Sequence, residues 1–452
     1  MGICRFFASE LRGSQMTRLV AGFLVLATFS IGAFAVPSMA RQTGMQCASC
    51  HTVFPELTPF GRQFKLRGYS MSIPKNGDAT PFEKIPISAL LQISRSTSRD
   101  VGPSATADEN FPQDRKNIIQ AAGLYYGGKI AENTGALVQY SYDGYERKWG
   151  MEMFDVRYAG NSDAAGGLVY GFTLNNNPTV SDIYNSTPAW GFPHVGSGAV
   201  MPPSTVIDMK LASQSGGVGF YGLWRDVLYG ELAVYRTTKT GILRPLGAGV
   251  PTEDVLKGAA PYWRLALQRE VGSHSFSLGS YGLISKIYMD GDDLGLGVNR
   301  FKDIAFDGQY QYIQGNHIFS SQATWVHESQ KWDASLAQGG ATSSGAILDA
   351  VRMNLHYAYQ RKLGGGVQYF LTRGDSDPLR YTFGEEVSGS RNGSPNSKGW
   401  VYELNFLPQE NIKLALRYTS FLQFNGAAHD YDGFGRDARK NNNTYLLAWF
   451  LF

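Results

Sequence analysis

Three residues near the N-terminus have the types and spacing needed for cofactor chemistry. Cys47, Cys50 and His51 form the pattern Cys-x-x-Cys-His, which is the attachment signature of c-type haem. In such sites the two thiols bond covalently to the porphyrin and the adjacent histidine binds the iron. The sequence therefore predicts one covalent haem c, with His51 as the proximal ligand.

A redox-active cysteine pair, a zinc site and coincidence are the alternatives to haem attachment. A thioredoxin-like pair needs a βαβ context, and the residues around the motif do not suggest one. A zinc site needs a second pair of Cys or His ligands at suitable spacing. The chain has three cysteines, and Cys4 lies in the leader, so the mature chain keeps only Cys47 and Cys50. The cysteine count thus favours haem over zinc.

The N-terminal leader is typical of a secretory signal peptide over residues 1–40. Basic residues precede an apolar run over 19–35, and Ser38 and Ala40 suit a small-residue cleavage site. A membrane anchor is the competing interpretation, but the apolar run is short for a span. Export suits a haem that is attached outside the bacterial cytoplasm.

The rest of the chain predicts an all-β fold, a transmembrane outer-membrane β-barrel of about sixteen strands. Glycine and aromatic residues are abundant (53 Gly, 25 Tyr, 26 Phe), whereas charged residues make up only 17%. Apolar and polar residues alternate, as where Leu414 and Leu416 alternate with Lys413 and Arg417. The aromatic last strand, ending in Phe452, resembles the terminal signal of outer-membrane barrels. A net charge of only +3 argues against a nucleic-acid partner.

The alternation and the turn residues place the strands and divide the chain. Strands are predicted near 85–96, 117–129, 135–143, 151–159, 167–176, 216–224, 228–238, 260–270, 273–287, 301–313, 316–328, 347–361, 364–373, 398–407, 411–421 and 442–452. Long connections mostly alternate with tight turns, and in outer-membrane barrels the tight turns face the periplasm. We therefore expect a signal peptide over 1–40, a monohaem cytochrome c segment over 41–84 and a porin-like barrel over 85–452.

The segment 41–84 is too small to shelter a haem by itself. A barrel of about sixteen strands has a lumen wide enough for a plug, so we expect the segment to plug or abut the lumen. A flexible periplasmic tether is the alternative. Within the segment, Thr58 is a predicted helix N-cap, Pro59 suits the first helical position and Gly68 suits the C-terminal cap.

Residues of this predicted helix are candidates for haem contacts. Phe60 and Phe64 share one face and would pack on the porphyrin or on the barrel wall. Arg62, Lys65 and Arg67 are candidate partners for the haem propionates, and a merely solvated basic face is equally compatible with the sequence. The sequence does not identify the sixth iron ligand. Met71 is the first candidate because methionine is a common axial ligand of c-type haem, and Met153 and His356 are candidates on the barrel.

Other polar residues are weaker candidates for functional roles. Acidic clusters in the long connections could hold Fe(II) through oxygen ligands, although carboxylates in such loops are more often simply solvated; they are Asp290, Asp292, Asp293, Asp375, Asp377, Asp430 and Asp432. Basic residues on presumed lumen faces are expected to pair with the plug or the propionates, or to form a porin's polar lining; they are Arg157, Arg264, Arg352, Lys413 and Arg417.

The motif and the residues after it resemble a known family. Residues 54–69 read Phe-Pro-x-Leu-Thr-Pro-Phe-Gly-Arg-x-Phe-Lys-Leu-x-Gly-Tyr. Together with a sixteen-strand barrel, they look like the fused outer-membrane monohaem cytochrome–porins of iron-oxidising bacteria. The resemblance implies an outer-membrane conduit that takes electrons from extracellular Fe(II) and passes them through the haem to a periplasmic carrier such as a soluble cytochrome c. Only Cys47, Cys50 and His51 carry over as functional residues.

The resemblance leaves the donor open, because relatives also occur in organisms not known to oxidise iron. The first alternative is the same conduit with a non-iron donor or acceptor. The second is a diffusion porin with an accessory haem segment. Whether the chain is an enzyme is equally open; as one, it would be an Fe(II)-oxidising oxidoreductase.

Overall fold

A computed structural model describes residues 37–53, 55–72, 85–162, 167–178, 182–184, 196–237 and 254–452. The predicted signal peptide lies mostly outside the described residues, as do residues 73–84 of the predicted haem segment. No helix among the described residues is long and apolar enough to cross a membrane.

Sixteen antiparallel strands close into a barrel in which each strand pairs with its neighbours in sequence and β1 pairs with β16. All sixteen predicted strands are confirmed within a few residues. Their bounds are β1 Ile87–Ser98, β2 Asn117–Ala131, β3 Thr134–Asp143, β4 Lys148–Asn161, β5 Leu168–Asn175, β6 Ser215–Trp224, β7 Leu228–Thr237, β8 Ala260–Val271, β9 His274–Tyr288, β10 Val298–Gln314, β11 His317–Lys331, β12 Gly345–Tyr359, β13 Leu363–Gly374, β14 Ser397–Gln409, β15 Ile412–Gln423 and β16 Asn443–Leu451.

The two faces of the strands differ in chemistry as the alternation predicts. On β15, Leu416 and Tyr418 are exposed on the outside, whereas Lys413 and Arg417 are buried on the lumen side. Large apolar side chains face outward all round the barrel, and Leu232 and others keep more than half of their surface exposed. Water would not stabilise such a belt, whereas lipid does. The chain is therefore a bacterial outer-membrane β-barrel.

The connections are short at one end of the barrel and mostly long at the other. In the three-residue connection between β6 and β7, Arg225 and Asp226 both have positive φ, as the two central residues of a type I′ turn do. Short turns mark the periplasmic end of outer-membrane barrels. Because β1 begins and β16 ends at this end, the N-terminal segment enters the barrel from the periplasm.

Among the described residues before β1 there are three helices: α1 Ser38–Thr43, α2 Cys47–Cys50 and α3 Pro59–Leu66. The predicted caps of α3 are confirmed, because the Thr58 side chain accepts a hydrogen bond from the Gly61 amide and Gly68 has a φ of +67°. In the described parts of the long connections, the α-helices are α4 Ser104–Asn110 and α5 Asp333–Ala337, and short π or 3-10 turns cover Val206–Lys210, Leu294–Leu296 and Ala438–Asn441.

The described residues 37–53 and 55–72, called the plug here, lie in the periplasmic half of the lumen. The Ser38 hydroxyl donates to the Gly127 carbonyl of β2 at 2.7 Å. On another part of the wall, the Tyr221 hydroxyl of β6 donates to the Leu66 carbonyl at 2.7 Å. The expectation that this segment plugs or abuts the lumen is confirmed for these residues.

The predicted lumen bases pair with carboxylates inside the barrel. Arg157 contacts Asp155 at 2.8 Å and Arg264 contacts Asp307 at 2.8 Å. Glu403 binds both Lys413 and Arg417, and Arg352 binds Asp208 of the long β5–β6 connection at 2.7 Å. Buried charges need such partners because burial removes their hydration. These pairs correspond to the expected polar lining of the lumen.

Candidate functional site

The haem motif is clamped by two periplasmic turns. Cys47 and Cys50 begin and end α2, and both are half-buried free thiols. The Cys47 amide donates to the Glu410 carboxylate in the β14–β15 turn at 2.9 Å. The Arg361 guanidinium in the β12–β13 turn donates to the Ala48 carbonyl at 2.9 Å. The backbone of the motif is thus held at the rim formed by β12 to β15.

Helix α3 closes tightly over the motif. The Thr58 hydroxyl donates to the Ser49 carbonyl at 2.6 Å, and the Thr58 amide donates to the Cys50 carbonyl at 2.9 Å. Gly61 lies so near that a Cβ there would stand 2.2 Å from the Cys50 carbonyl oxygen. A glycine is therefore required at residue 61 for the two helices to meet.

His51 is oriented by the backbone that follows it. Its Nδ1 lies 3.1 Å from the Pro55 carbonyl oxygen, and its own backbone forms a bridge with Leu57. Desolvation of the imidazole lowers the His51 pKa to about 4, although hydrogen bonds to the backbone of Pro55 and Glu56 oppose this shift. A neutral histidine that donates Nδ1–H to a carbonyl carries its lone pair on Nε2, and this is the usual arrangement of a metal ligand.

The pKa values of the two thiols are shifted in the opposite direction from those of a disulfide-exchange pair. Burial raises the pKa of Cys47 and of Cys50 to about 11, and the Glu410 carboxylate adds to the shift at Cys47. Reactive cysteine pairs need lowered pKa values, so the geometry disfavours the thioredoxin-like alternative. Two thiols one helical turn apart and an oriented neutral imidazole fit the donor set of a covalently held haem.

Two buried charged residues, Arg62 and Glu56, each bind the opposite part of the wall. Arg62 is 4% exposed, and its guanidinium donates to Gln311 on β10 and to Ser275 on β9, both at 2.9 Å. Gln311 in turn donates to the Glu56 carboxylate at 3.3 Å, and the Ser320 hydroxyl of β11 donates to the same oxygen. Burial raises the pKa of Glu56 and lowers that of Arg62.

These contacts bear on the predicted role of Arg62. Its guanidinium binds the barrel wall, so pairing with a haem propionate would require it to exchange those hydrogen bonds. Neither Glu56 nor its partner Ser320 was identified from the sequence as a site residue. Alternation places Ser320 on the lumen face, but no local signal shows which plug residue it meets.

The aromatic residues of α3 take different positions. Phe64 is 3% exposed and packs edge-to-face on Tyr69, with ring centroids 6.0 Å apart. The Tyr69 hydroxyl donates to Asp155 on β4 at 2.5 Å. Phe64 therefore packs within the plug, and its contact with the porphyrin or with the barrel wall stays a prediction. Phe60 is half-buried, and its contact with a porphyrin stays a prediction.

Met71 lies beside a different part of the barrel. Its carbonyl accepts a hydrogen bond from Gln42 at 2.8 Å. A cavity of about 440 Å³ lies there, lined by Met71, Arg67, Ser70, Asn133, Ala159 and Asn161. These wall residues belong to β4 and the β2–β3 turn, whereas the haem motif contacts the turns between β12 and β15. The role of Met71 as the distal ligand stays a prediction.

The acidic clusters of the long connections act as turn caps. Asp290 accepts from the amides of Asp292 and Asp293, and Asp432 accepts from those of Phe434 and Arg436. Among the described residues, no group of three or more His, Cys, Asp or Glu side chains is arranged to hold a metal ion. The local turn chemistry accounts for these carboxylates.

Comparisons with known proteins concern the barrel. No family model matches the sequence, and no curated protein is significantly similar to it. Solved structures that resemble it include OprB of Pseudomonas putida, with a TM-score of 0.49 and 9% identity, covering 81% of this chain and 93% of that one. The outer membrane channel DcaP of Acinetobacter baumannii has a TM-score of 0.48 and 11% identity over 81% and 96% of the two chains. Salmonella typhi OmpF has a TM-score of 0.45 and 11% identity over 81% and 97%. At TM-scores below 0.5 these likenesses carry no argument about function.

Proposed function

We propose that this outer-membrane barrel transfers electrons across the membrane through one haem c, bound covalently by Cys47 and Cys50 with His51 as the proximal ligand. The observation that carries the proposal is the placement of this motif inside the periplasmic rim of the lumen, with Nδ1 of His51 held by the Pro55 carbonyl. The haem would supply one-electron redox chemistry. Extracellular Fe(II) is the proposed donor and a soluble periplasmic cytochrome c the proposed acceptor.

The residues of the chain have separate tasks in this proposal. The Glu410 and Arg361 contacts hold the motif at the periplasmic rim, where a soluble carrier can approach. The buried residues Glu56 and Arg62 keep the plug against β9 to β11, where it occupies part of the lumen. A hydrocarbon core about 30 Å thick then separates the motif from the extracellular surface, so a donor must enter the lumen from the long connections.

A diffusion porin with an accessory haem segment is the second candidate. The closed barrel and its charged lumen, with pairs such as Arg264 and Asp307, support that function at least as well as the first. The plug distinguishes the two, because a conduit has no need of an open pore. The same conduit with a non-iron donor differs only in the reductant.

The test uses the purified full-length protein and its Cys47→Ser/Cys50→Ser variant. We expect covalent haem on denaturing gels for the unmodified protein only, and rapid-mixing absorbance changes with Fe(II) or Fe(III) that the variant lacks. Planar bilayers should show little conductance through the unmodified protein. Large open-channel currents from the haem-loaded protein would favour the diffusion porin. If the protein exchanged electrons with another donor but not with iron at any pH, the proposal that Fe(II) is the donor would be wrong, and the proposed electron transfer through the haem would stand.

A further inference from the structure

A histidine of the barrel wall lies next to a wall residue that binds the plug. His356 of β12 is 1% exposed and alternates with the exposed outward-facing Leu355 and Tyr357, so its side chain is on the lumen side. Histidines are rarely placed on a lumen wall without a polar partner. The Nε2 atom lies 3.2 Å from the Asn405 side-chain amide of β14.

Two independent contacts place the plug next to this histidine. Ser320 of β11 is the direct cross-strand partner of His356, and directly paired residues lie about 5 Å apart between Cα atoms. The Ser320 hydroxyl binds the Glu56 carboxylate, and the Glu56 backbone in turn bonds to His51. At the rim, the turn that follows β12 carries Arg361, which binds the Ala48 carbonyl.

Two glycines of β13 leave space beside His356. Gly366 of β13 pairs directly with His356, and Gly364 also faces the lumen. A Cβ at residue 364 would stand 2.4 Å from the Asn405 Oδ1 and 3.0 Å from the His356 Nε2. Glycine therefore leaves the space in which the imidazole and the Asn405 amide sit. The Asn405 amide donates to the Nε2 lone pair, which is the lone pair that metal binding requires, so iron binding at Nε2 would replace this hydrogen bond.

We propose that His356 supplies the second axial ligand of the haem, so that the iron is held between His51 of the plug and His356 of the wall. This inference rests on the proposed function, because it needs the covalent haem. The Asn405 amide, itself 3.4 Å from Glu403, would give up its hydrogen bond to Nε2 when that atom binds iron. Met71 lies instead against β4 and the β2–β3 turn, away from the turns that clamp the motif. Ligation by two histidines gives a lower reduction potential than a His/Met pair.

The test compares His356→Ala with Met71→Leu in the haem-loaded protein, and His317→Ala on the exposed face of β11 is the matched control. We expect His356→Ala to convert the ferric haem from low spin to high spin and to bind added imidazole, which restores the low-spin spectrum. Met71→Leu and His317→Ala should keep the low-spin spectrum. His356→Met should remain six-coordinate with a raised reduction potential.

Near-infrared magnetic circular dichroism of the unmodified protein provides a second measurement if the variants fail to fold. A bis-histidine signature supports the proposal and a histidine–methionine signature overturns it. A low-spin spectrum in His356→Ala together with a high-spin one in Met71→Leu also overturns it and assigns the ligand to Met71. If the unmodified protein contains no covalent haem, the proposed function itself is overturned. If the haem is present but its second ligand is not His356, only the ligand proposal is overturned.

Discussion

The contact between α2 and α3 supports a quantitative prediction for Gly61→Ala. Gly61 lies inside α3, where alanine is intrinsically favoured over glycine by about 1 kcal/mol. The new Cβ, however, would stand 2.2 Å from the oxygen and 3.0 Å from the carbon of the Cys50 carbonyl. Carbon prefers neighbours at about 3.5 Å or more, so the two helices must separate by roughly 1 Å. Because the neighbour is backbone, no side-chain rotation relieves the overlap.

Forced expansion of a packed contact costs about 1–3 kcal/mol, and the upper end applies to a backbone neighbour. After the gain in helix propensity, we expect a net loss of about 1–2 kcal/mol in plug docking, which is roughly 5–30-fold in the opening equilibrium. Hydrogen exchange of the amides over residues 47–66, measured by mass spectrometry, should accelerate by that factor. Gly345→Ala is the control, since a Cβ there has no heavy atom within 4 Å. Exchange as slow as in the unmodified protein, or slower, would refute the close approach.

The same exchange measurement checks three further variants. Thr58→Ala loses the α3 cap and the hydrogen bond to Ser49 and should weaken plug docking by about 0.5–2 kcal/mol. Thr58→Ser keeps the hydroxyl and should preserve docking. Equal weakening of docking in the two variants would argue against the cap. Tyr69→Phe removes a hydrogen bond to a buried carboxylate and should cost about 1.5–3 kcal/mol, with Tyr158→Phe on the exposed face as a silent control. Burial lowers the Lys65 pKa to about 8 from its usual 10.5, so the docked form binds fewer protons than the undocked form between these values. Docking should therefore strengthen as pH rises from 8 to 10.5, and Lys65→Met should abolish this dependence.

The position of the plug shapes how the barrel could work. It is bonded to β2, β4, β6, β9, β10 and β11 and to the turns after β12 and β14. A segment tied to so many strands does not leave the lumen without breaking buried polar contacts, each of which costs about 1–3 kcal/mol when a partner is left unsatisfied. We therefore expect the plug to stay in place in the lumen and not to open as a gate.

The sequence alone predicted the architecture because the signals for it are local. A strand of a membrane barrel must alternate lipid-facing and lumen-facing residues, so Leu416 and Arg417 reveal their faces without knowledge of any neighbour. The helix cap at Thr58 is local in the same way, because a hydroxyl three residues before an amide can reach it. The motif from Cys47 to His51 is local too, although the haem that it predicts remains a proposal.

Only the tertiary structure decided which wall residues the plug meets. Glu56 and Ser320 are 264 residues apart in sequence, and closure of the barrel brings them together through a register that no short window of sequence contains. The same closure brought Arg62 into hydrogen bonds with Gln311 and Ser275. It also paired His356 with Ser320, whose hydroxyl binds Glu56 of the plug, whereas Met71 lies near β4. Periodicity determines the face of a residue, but contact between distant faces depends on how all sixteen strands pair.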